Sequence, residues 1–428
     1  MNEKEAREIC EKAIAFSEAE HVQVNLYGAR EASTRYANNE ITQNVARAQT
    51  TLRVLCAYGN KVGRCSTNRL DTDSIREAVK RAEEMARVAE PDTEFLPPPE
   101  PAMYRPIQAY ADGTAHATPE DRARVVRQVI GEAKSRALKT AGSFATNSSV
   151  VAVANNKGLF GFHTATQASL VCTMMAEDGS GWVEQTHEDM NAISPEAVAK
   201  RAADKAEAAR HPREVPPGDY TVVLEPAAVA ELLAYMAWSM DAKAADEGRS
   251  AFTGKEGTAV GNNLVTLQSL PAHPECPAEP FFDDGMPTSD VTWIEQGVLK
   301  TLVYSRFWAH KQGKTFTGPP SNLILQGGSH SLDELVAQVE DGLLITRFWY
   351  IRFVDPMQLL LTGMTRDGVY RIKGGKVTHA VKNLRFNESP LVVLQNVQSL
   401  GIPQRVEGRL LVPPVVVNNF TFSSTTTF

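Results

Sequence analysis

Residues 222–241 read VVLEPAAVAELLAYMAWSMD. Val222 to Leu224 has the β-branched, apolar character of a strand end, and Pro226 suits the first turn of a helix, where its missing N–H costs nothing. The helix that follows is apolar nearly all round, which is typical of a helix buried in a core. It contains no histidine, no cysteine and only one carboxylate, Glu231. The stretch therefore predicts a strand and a core helix that lacks the side chains of a metal site.

The length and composition are those of a folded multidomain protein. The chain has 428 residues, more than the roughly 250–300 that one core usually serves, so we expect two or more domains. Hydrophobic residues make up 43% and charged residues 22%, with a net charge of −7. The negative balance argues against non-specific binding of nucleic acid, which needs a basic face.

Location and redox state are predicted from the N-terminus and the cysteines. The first residues are charged, no signal-peptide core follows, and no apolar run approaches the ~20 residues of a membrane span. The five cysteines are scattered and form no CxxC, which indicates reduced thiols in the cytoplasm. Cys56 and Cys65 could pair across a hairpin, but buried thiols in a sheet are favoured.

The first half shows the order helix, antiparallel strands, helix twice. Residues 3–20 and 118–138 read as the opening helices, and residues 71–88 and 195–208 as the closing ones. Between them lie short strand patterns separated by Asn- and Gly-containing turns, including Asn38-Asn39 and Asn155-Asn156. The sequence predicts an N-terminal α/β domain over residues 1–215, with an internal duplication and a linker near 91–117.

The second half, residues 216–428, reads as a β-rich C-terminal domain with two helices. One helix follows Pro226 and the other spans 331–341, while Lys373-Gly374-Gly375-Lys376 predicts a tight hairpin turn. Two of the predicted strands run from Leu299 to Tyr304 and from Leu410 to Val417, and Gly363 to Gly368 is expected to link two more. The fold class predicted is α+β.

Familiar catalytic motifs are missing from the sequence. None of the nine histidines lies in HExxH or HExxxH, and His187-Glu188 lacks the second histidine of such a motif. His273 and Cys276 share a Pro-rich loop, for which a solvated loop is favoured over a metal site. There is no GxSxG, and Gly248 to Lys255 departs from the phosphate-loop spacing.

Two polar clusters remain as candidates for binding. Phe281-Phe282-Asp283-Asp284-Gly285 leads from a Pro-rich loop towards a strand, and Arg366-Asp367 lies in the segment Gly363 to Gly368. An arginine beside an aspartate can orient a peptide carboxylate or carbonyl. The alternative is a turn whose charged side chains satisfy the local backbone, since loops more often connect than act.

A set of motifs in a fixed order covers most of the chain. They are Tyr36 to Asn44, Gly63 with Ser66-Thr67-Asn68, Asp178 to Gly181, Pro217 to Leu224, Phe282 to Thr288, Glu295 to Lys300, Gly363 to Gly368, and Lys382 to Phe386. In this order the chain resembles the TldD/PmbA family of peptidase U62-like proteins, in which TldE is another name for the PmbA side. Older family names refer to modulation of DNA gyrase, but nothing in this acidic chain indicates contact with gyrase or DNA.

The resemblance implies a two-domain fold and cytoplasmic paired assemblies. In such an assembly a TldD-type subunit is a zinc peptidase acting on unfolded or leader peptides, with an HExxxH helix after the Val-Val-Leu strand and a cysteine ligand near the C-terminus. At the positions of that motif this chain has Ala234, Tyr235 and Ser239, and it has no cysteine after residue 400. No catalytic residue, metal or cofactor is therefore predicted, and whether the chain has activity of its own is left open.

Three functions follow as hypotheses. The leading one is a non-catalytic, TldE-like subunit that pairs with a zinc-bearing TldD-like peptidase. The second is a homo-oligomeric module that binds peptides by adding them as an extra strand. The third, a metal-independent hydrolase built around Arg366 and Asp367, has no visible nucleophile–base pair. The candidate peptide-binding residues are the following: Gly363, Arg366, Asp367, Asn383 and Arg385.

Overall fold

The computed structural model describes residues 1–426 of the chain. Its first half contains five helices and six strands, and its second half contains five helices and thirteen strands, all within those residues. None of the helices in residues 1–426 has both the length and the apolar character needed to cross a bilayer. The α+β fold class predicted from the sequence is confirmed.

The first half builds one antiparallel sheet with the strand order β3-β2-β1-β4-β5-β6. Helices α1 and α2 pack against the first three strands, and α4 and α5 against the last three. The elements are α1 Glu3–Ala15, β1 His21–Ala37, β2 Glu40–Tyr58, β3 Lys61–Thr67, α2 Thr72–Val88, α3 Asp112–Ala115, α4 Pro119–Ser135, β4 Lys139–Asn155, β5 Phe160–Met175, β6 Ser180–His187 and α5 Pro195–Ala208. The domain boundary at residue 215 and the internal duplication stay predictions.

The strands of this sheet are longer than the sequence predicts. The sequence predicts two separate short strands at residues 22–27 and 33–37, but they are parts of one strand, β1, because the residues between them pair with β2 on one side and β4 on the other. Those residues lack apolar alternation, so only the backbone ladder marks them as a strand. The predicted turn is confirmed: Asn38 and Asn39 have φ of 50° and 63°, a conformation that asparagine tolerates in a two-residue hairpin.

The second half contains two further sheets. One has the order β10-β9-β8-β11-β18-β17, and in the other β12, β7, β19, β15 and β13 close into a ring, to which β14 and β16 are attached. The elements are β7 Gly218–Leu224, α6 Pro226–Trp238, α7 Ala242–Asp246, β8 Leu267–Ser269, β9 Val291–Glu295, β10 Val298–Leu299, α8 Arg306–Gln312, β11 Leu323–Leu325, α9 Leu332–Ala337, β12 Asp341–Asp355, β13 Leu360–Lys373, β14 Lys376–Ala380, β15 Leu384–Glu388, α10 Pro390–Gln395, β16 Val397–Leu400, β17 Gln404–Val406, β18 Leu410–Val412 and β19 Val415–Thr425.

Aromatic side chains from three strands of the ring pack together in the core. Phe348 lies 4.5 Å from Phe386 and 5.6 Å from Phe420, measured between ring centroids, and all three are fully buried. Such rings contribute both large apolar area and about 0.5–1.5 kcal/mol for each pair beyond that area. The Gly374-Gly375 turn between β13 and β14 is confirmed, since both glycines have positive φ.

Three sequence predictions for this half are wrong. The segment from Gly363 to Gly368 does not link two strands but lies inside the single strand β13. The predicted strand 299–304 is only the end of β10, and the predicted strand 410–417 is broken at Pro413-Pro414, which cannot donate to a ladder. Three helices besides α6 and α9 were also missed, because they have only five to seven residues.

The cysteines are free thiols in the structure. Cys10, Cys56, Cys172 and Cys276 are buried and Cys65 is half-buried. Cys56 lies opposite Gly63 and Cys65 opposite Val54, so the two are not cross-strand partners. The expectation of buried thiols in a sheet therefore holds for Cys56.

Candidate functional site

Helix α6 occupies the centre of the second half. Most of its side chains are buried, and it packs against β12, β17 and β18. The buried residues are Pro226, Ala228, Val229, Ala230, Leu232, Leu233 and Met236. The core helix predicted from its apolar sequence is therefore found where the sequence places it.

Two of the three residues at the zinc-motif positions have structural roles in this chain. The hydroxyl of Tyr235 donates a 2.7 Å hydrogen bond to the carbonyl of Ile351 in β12, and the Ser239 hydroxyl donates to the Tyr235 carbonyl at 3.4 Å. Ala234 offers no ligand atom. Within residues 1–426 no three His, Cys, Asp or Glu side chains converge as a metal site would require. These residues do not fit a zinc ion.

Glu231 is the single carboxylate of the helix, and it holds the neighbouring strand. Its Oε2 accepts a 2.8 Å hydrogen bond from the backbone N–H of Phe348. β7 pairs with β12 only as far as Ile345, so Glu231 and Tyr235 together satisfy backbone groups of β12 beyond the last residue paired with β7. Burial raises the pKa of Glu231 to about 8, although the Phe348 amide and Arg347 oppose that rise.

The raised pKa of Glu231 predicts that the free energy of unfolding depends on pH. Between about pH 4.5 and 8 the unfolded chain releases this proton while the folded chain keeps it, so its contribution to stability falls as pH rises through this range. We expect Glu231→Gln to be more stable than the wild type at pH 8.5, by on the order of 2 kcal/mol, and to lose that advantage near pH 4.5. Urea unfolding at both pH values measures the difference.

The matched control is Glu8→Gln, at an exposed position on α1. Glu8→Gln should leave the difference in free energy of unfolding between the two pH values the same as in the wild type. An advantage of Glu231→Gln that is equal at both pH values would contradict a carboxyl that holds its proton in the folded state.

A second carboxylate, Glu184 of β6, belongs to the same surroundings. Burial raises its pKa, and the Glu407 amide donates a 2.9 Å hydrogen bond to its Oε1. The charges of Glu184 and Glu231 act on each other, and Arg347 acts on both. This cluster joins the first half of the chain, which contributes β6, to the second half.

Asp367 is buried in an ion pair with Arg347. Its Oδ2 lies 2.5 Å from Nη2 and 3.0 Å from Nε of Arg347, and the hydroxyl of Ser180 donates to its Oδ1 at 2.9 Å. Arg347 also stacks on Trp182, with the guanidinium carbon 4.6 Å from the ring centroid. The predicted pair with Arg366 is the weaker one, at 3.6 Å. Both carboxylate oxygens of Asp367 thus have hydrogen-bond partners within the chain.

The other candidate peptide-binding residues are dispersed over β13 and β15. A Cβ on Gly363 would lie 2.7 Å from the Phe386 ring, so this glycine allows close packing in the ring of strands. The Asn383 side chain accepts a hydrogen bond from Thr365 at 3.4 Å, and Arg385 lies beside the Met364 sulfur at 3.9 Å. Of the five candidates, only Asp367 and Asn383 line the same cleft. This cleft has a volume of about 360 Å³ and lies between the two halves of the chain.

The loop containing Asp283 and Asp284 connects the two halves on another side. The Asp283 carbonyl accepts hydrogen bonds from the side-chain amides of Gln23 at 2.9 Å and Asn25 at 2.6 Å, both on β1. Behind this loop lies a cavity of about 500 Å³ whose walls include Phe281, Phe282 and Phe316. The cluster therefore has a structural role as a contact between the two halves of the chain, which the sequence left open.

The histidines singled out in the sequence have local partners. Nδ1 of His187 accepts from the Asp189 amide at 2.9 Å, and Nδ1 of His273 accepts from the Glu275 amide at 3.3 Å. Both are turn contacts of the kind that loop residues commonly make. The favoured reading of His273 as a loop residue is consistent with this geometry.

Sequence reasoning missed the ion pairs that join the two halves. Glu225 immediately precedes α6 and is 4% exposed, and its carboxylate lies 2.8 Å from Arg201 and 2.7 Å from Lys205 of α5. Thr346 of β12 donates to the same carboxylate at 3.2 Å. No sequence signal could have found this group, because its members come from segments 20 to 145 residues apart and carry no motif.

Comparisons with known proteins match the whole architecture. Models of three domains match in order along the chain: PmbA/TldA metallopeptidase domain 1 at residues 22–86, the central domain at 68–210 and the C-terminal domain at 217–424. The fold and the matching domains place the protein in a class of metallopeptidase homologues. The chain belongs to the PmbA/TldD family.

Two solved structures share the fold over nearly the full length. One, described as a modulator of a DNA gyrase from Thermotoga maritima, is 22% identical, with a TM-score of 0.89 over 98% of this chain and 100% of the other. TldE from Thermococcus kodakarensis is 17% identical, with a TM-score of 0.89 over 98% of this chain and 99% of the other. At these identities the likeness concerns the fold alone.

Two curated relatives are described as metalloproteases. That of Methanothermobacter thermautotrophicus is 23% identical over 64% of this chain and 66% of its own length. That of Archaeoglobus fulgidus is 24% identical over 43% of this chain and 45% of its own length. The chain thus spans about two thirds or less of the length of the curated relatives that it matches.

Proposed function

We propose that this chain is a non-catalytic, TldE-like subunit that pairs with a zinc-bearing TldD-like peptidase in the processing or degradation of unfolded or leader peptides. The observation that carries the proposal is the hydrogen bonding of α6. Tyr235, at the motif's glutamate position, holds Ile351 of β12 instead of activating water. The two histidine positions of the motif are occupied by Ala234 and Ser239, which have no imidazole to bind a metal.

Two further observations support a subunit without its own chemistry. Glu231, the one acid of α6, accepts a backbone hydrogen bond and favours its protonated form near neutral pH. The Asp367 carboxylate is paired with the Arg347 guanidinium, so the third hypothesis of a metal-independent hydrolase has no free base there. A cytoplasmic location and the lack of a cofactor remain part of this proposal.

The test has two stages. The purified chain, dialysed against Zn²⁺ and then buffer, should retain less than about 0.1 equivalent of metal and should not cleave unfolded peptides, because α6 supplies no ligand set. Added to an HExxxH-bearing TldD-type subunit, it should form a complex and change the rate of peptide cleavage. Metal analysis, a fluorogenic peptide assay and size-exclusion chromatography make the measurements.

The control is the TldD-type subunit with its motif glutamate replaced by glutamine. That variant should still bind this chain but should lose cleavage, which assigns the chemistry to the partner. Stoichiometric zinc with turnover in this chain alone would contradict the proposal, as would the lack of any complex.

One observation favours the second hypothesis, a homo-oligomeric peptide-binding module. β3 pairs with β2 only from Leu52 onward, and in residues 1–426 no strand pairs with the outer edge of residues 40–51 of β2. Those residues contain no proline, and most are exposed, so their backbone groups could accept an added strand. A chain that binds an unfolded peptide without a partner, but not its backbone N-methylated form, would support this function.

A further inference from the structure

The structure has an exposed aromatic arm, which consists of residues 346–366, where the β12–β13 hairpin continues beyond Ile345, the last residue of β12 that pairs with β7, and of Trp238 at the end of α6. The arm presents large apolar side chains to solvent. They are Trp238 at 71% exposed, Trp349 at 41%, Tyr350 at 56%, Phe353 at 37%, Val354 at 52% and Met357 at 49%. The total over both sides of the arm is roughly 600 Å².

The aromatic side chains form two clusters on different sides of the arm. Trp238 and Phe353 pack on either side of Tyr235, with ring centroids 5.0 and 5.3 Å from it. Trp349 packs on Tyr350 at 5.5 Å. In the pairing of β12 with β13, Trp349 lies opposite Met364, and Phe353 lies opposite Leu361. Met364 and Leu361 are three residues apart on β13, so they and the residues opposite them face different sides of the hairpin. An arm that is apolar on both sides fits a groove better than a flat surface.

The arm also carries an excess of cations, since residues 346–366 contain three arginines and one carboxylate, Asp355. The Arg352 guanidinium stacks on Tyr350 at 4.3 Å and has no carboxylate within 4.0 Å among the described residues. Arg366 stacks on Trp349 at 4.1 Å, and its nearest carboxylate, Asp367, is already paired with Arg347. The groove that receives the arm should therefore have an apolar floor and carboxylates at its rim.

Two other occupants fit less well. A peptide added as a strand needs a regular edge, but β12 has register shifts after residues 345, 349 and 353, and Tyr350 has a φ of 58°. A second copy that packed arm against arm would bring Arg352 and Arg366 towards the same cations of its partner, which costs energy in a desolvated contact.

We infer that this arm is the element by which the chain docks into its zinc-bearing partner subunit, with Trp238 and Tyr350 as the main anchors. The inference rests on the proposed function and names the surface that the pairing uses. Trp, Tyr and Arg are the residues that most often dominate the binding energy of protein interfaces. The exposed area is about three quarters of the ~800 Å² per partner of a standard interface, so the arm can supply most of the contact.

The test measures the dissociation constant between the full chain and an HExxxH-bearing TldD-type subunit encoded in the same genome. Trp238→Ser and Tyr350→Ser should each raise it at least tenfold, because each removes a large apolar anchor. Arg352→Glu should raise it further at low salt than at high salt. The matched control is Met103→Ser, at a 95% exposed apolar residue far along the chain from the arm, which should leave it unchanged.

The outcomes separate this inference from the proposed function. If the wild type binds and the arm variants bind equally well, with thermal unfolding showing them folded, the docking surface is wrong and the pairing stands. If the wild type forms no complex, both fall. If the chain alone sediments as a dimer that Trp238→Ser dissociates, the occupant is a second copy and the inference is overturned.

Discussion

Replacing Glu225 by alanine is expected to lower the free energy of unfolding by about 3–5 kcal/mol. The change leaves Lys205, whose side chain is only 12% exposed, without its partner. Burial already lowers the pKa of Lys205, and the Glu225 carboxylate is the main group that opposes this effect. A buried cation without a counter-charge is among the most costly defects in a folded chain. Urea unfolding at pH 7 measures the loss.

The matched control is Glu214→Ala, which removes a carboxylate from an exposed ion pair with Lys382. Exposed pairs contribute about 0–1 kcal/mol, so this variant should remain close to the wild type. The double variant Glu225→Leu with Lys205→Met should recover part of the loss, because it removes both charges together. Equal losses in Glu225→Ala and Glu214→Ala would show that the ion pair of Glu225 with Lys205 does not stabilise the fold.

The second large effect is expected at two glycines where helices lie directly on strands. A Cβ on Gly63 of β3 would lie 2.0 Å from the Ala82 carbonyl oxygen of α2, and a Cβ on Gly181 of β6 would lie 2.3 Å from the Ala202 carbonyl oxygen of α5. Backbone atoms cannot yield without moving the helix, so Gly63→Ala and Gly181→Ala should each cost at least about 1–3 kcal/mol. The midpoint of thermal unfolding should fall by several degrees in each.

Gly131→Ala is the matched control, for which we expect a gain in stability instead of a loss. Gly131 lies in α4, and a Cβ there meets nothing within 4 Å. Alanine is favoured over glycine in a helix interior by about 0.5–1 kcal/mol, so this variant should be slightly more stable than the wild type. Destabilisation by all three substitutions alike would mean that close helix packing is not the reason for glycine at 63 and 181.

Much of the fold could be predicted because its signals are local. The helices from Pro119 and Pro195 have cap-and-proline starts, and the turns at Asn38-Asn39 and Gly374-Gly375 require positive φ. The core helix α6 was predicted from its apolar character alone. Strand lengths were not predictable, since the exposed parts of β1 and β2 are held by backbone pairing that any side chain permits.

Little of the site could be predicted, because its contacts join distant segments. The sequence placed Arg366 and Asp367 together, whereas the structure gives Asp367 a closer partner, Arg347 at 3.0 Å, with Arg366 at 3.6 Å. It placed Gly363 in a binding loop, whereas this residue packs against Phe386 inside the ring of strands. Adjacent residues on a strand point to opposite faces, so neighbours in sequence need not share a site.

The sequence by itself determined which side chains are available: α6 has no histidine, cysteine or zinc-binding pair, and that fact needs no coordinates. Only the tertiary structure decided what those positions do instead, because hydrogen bonds from Tyr235 and Glu231 to β12 depend on the packing of a helix beside a strand more than 100 residues later. It also decided that the aromatic residues of the arm remain exposed, since the burial of a side chain depends on every element around it.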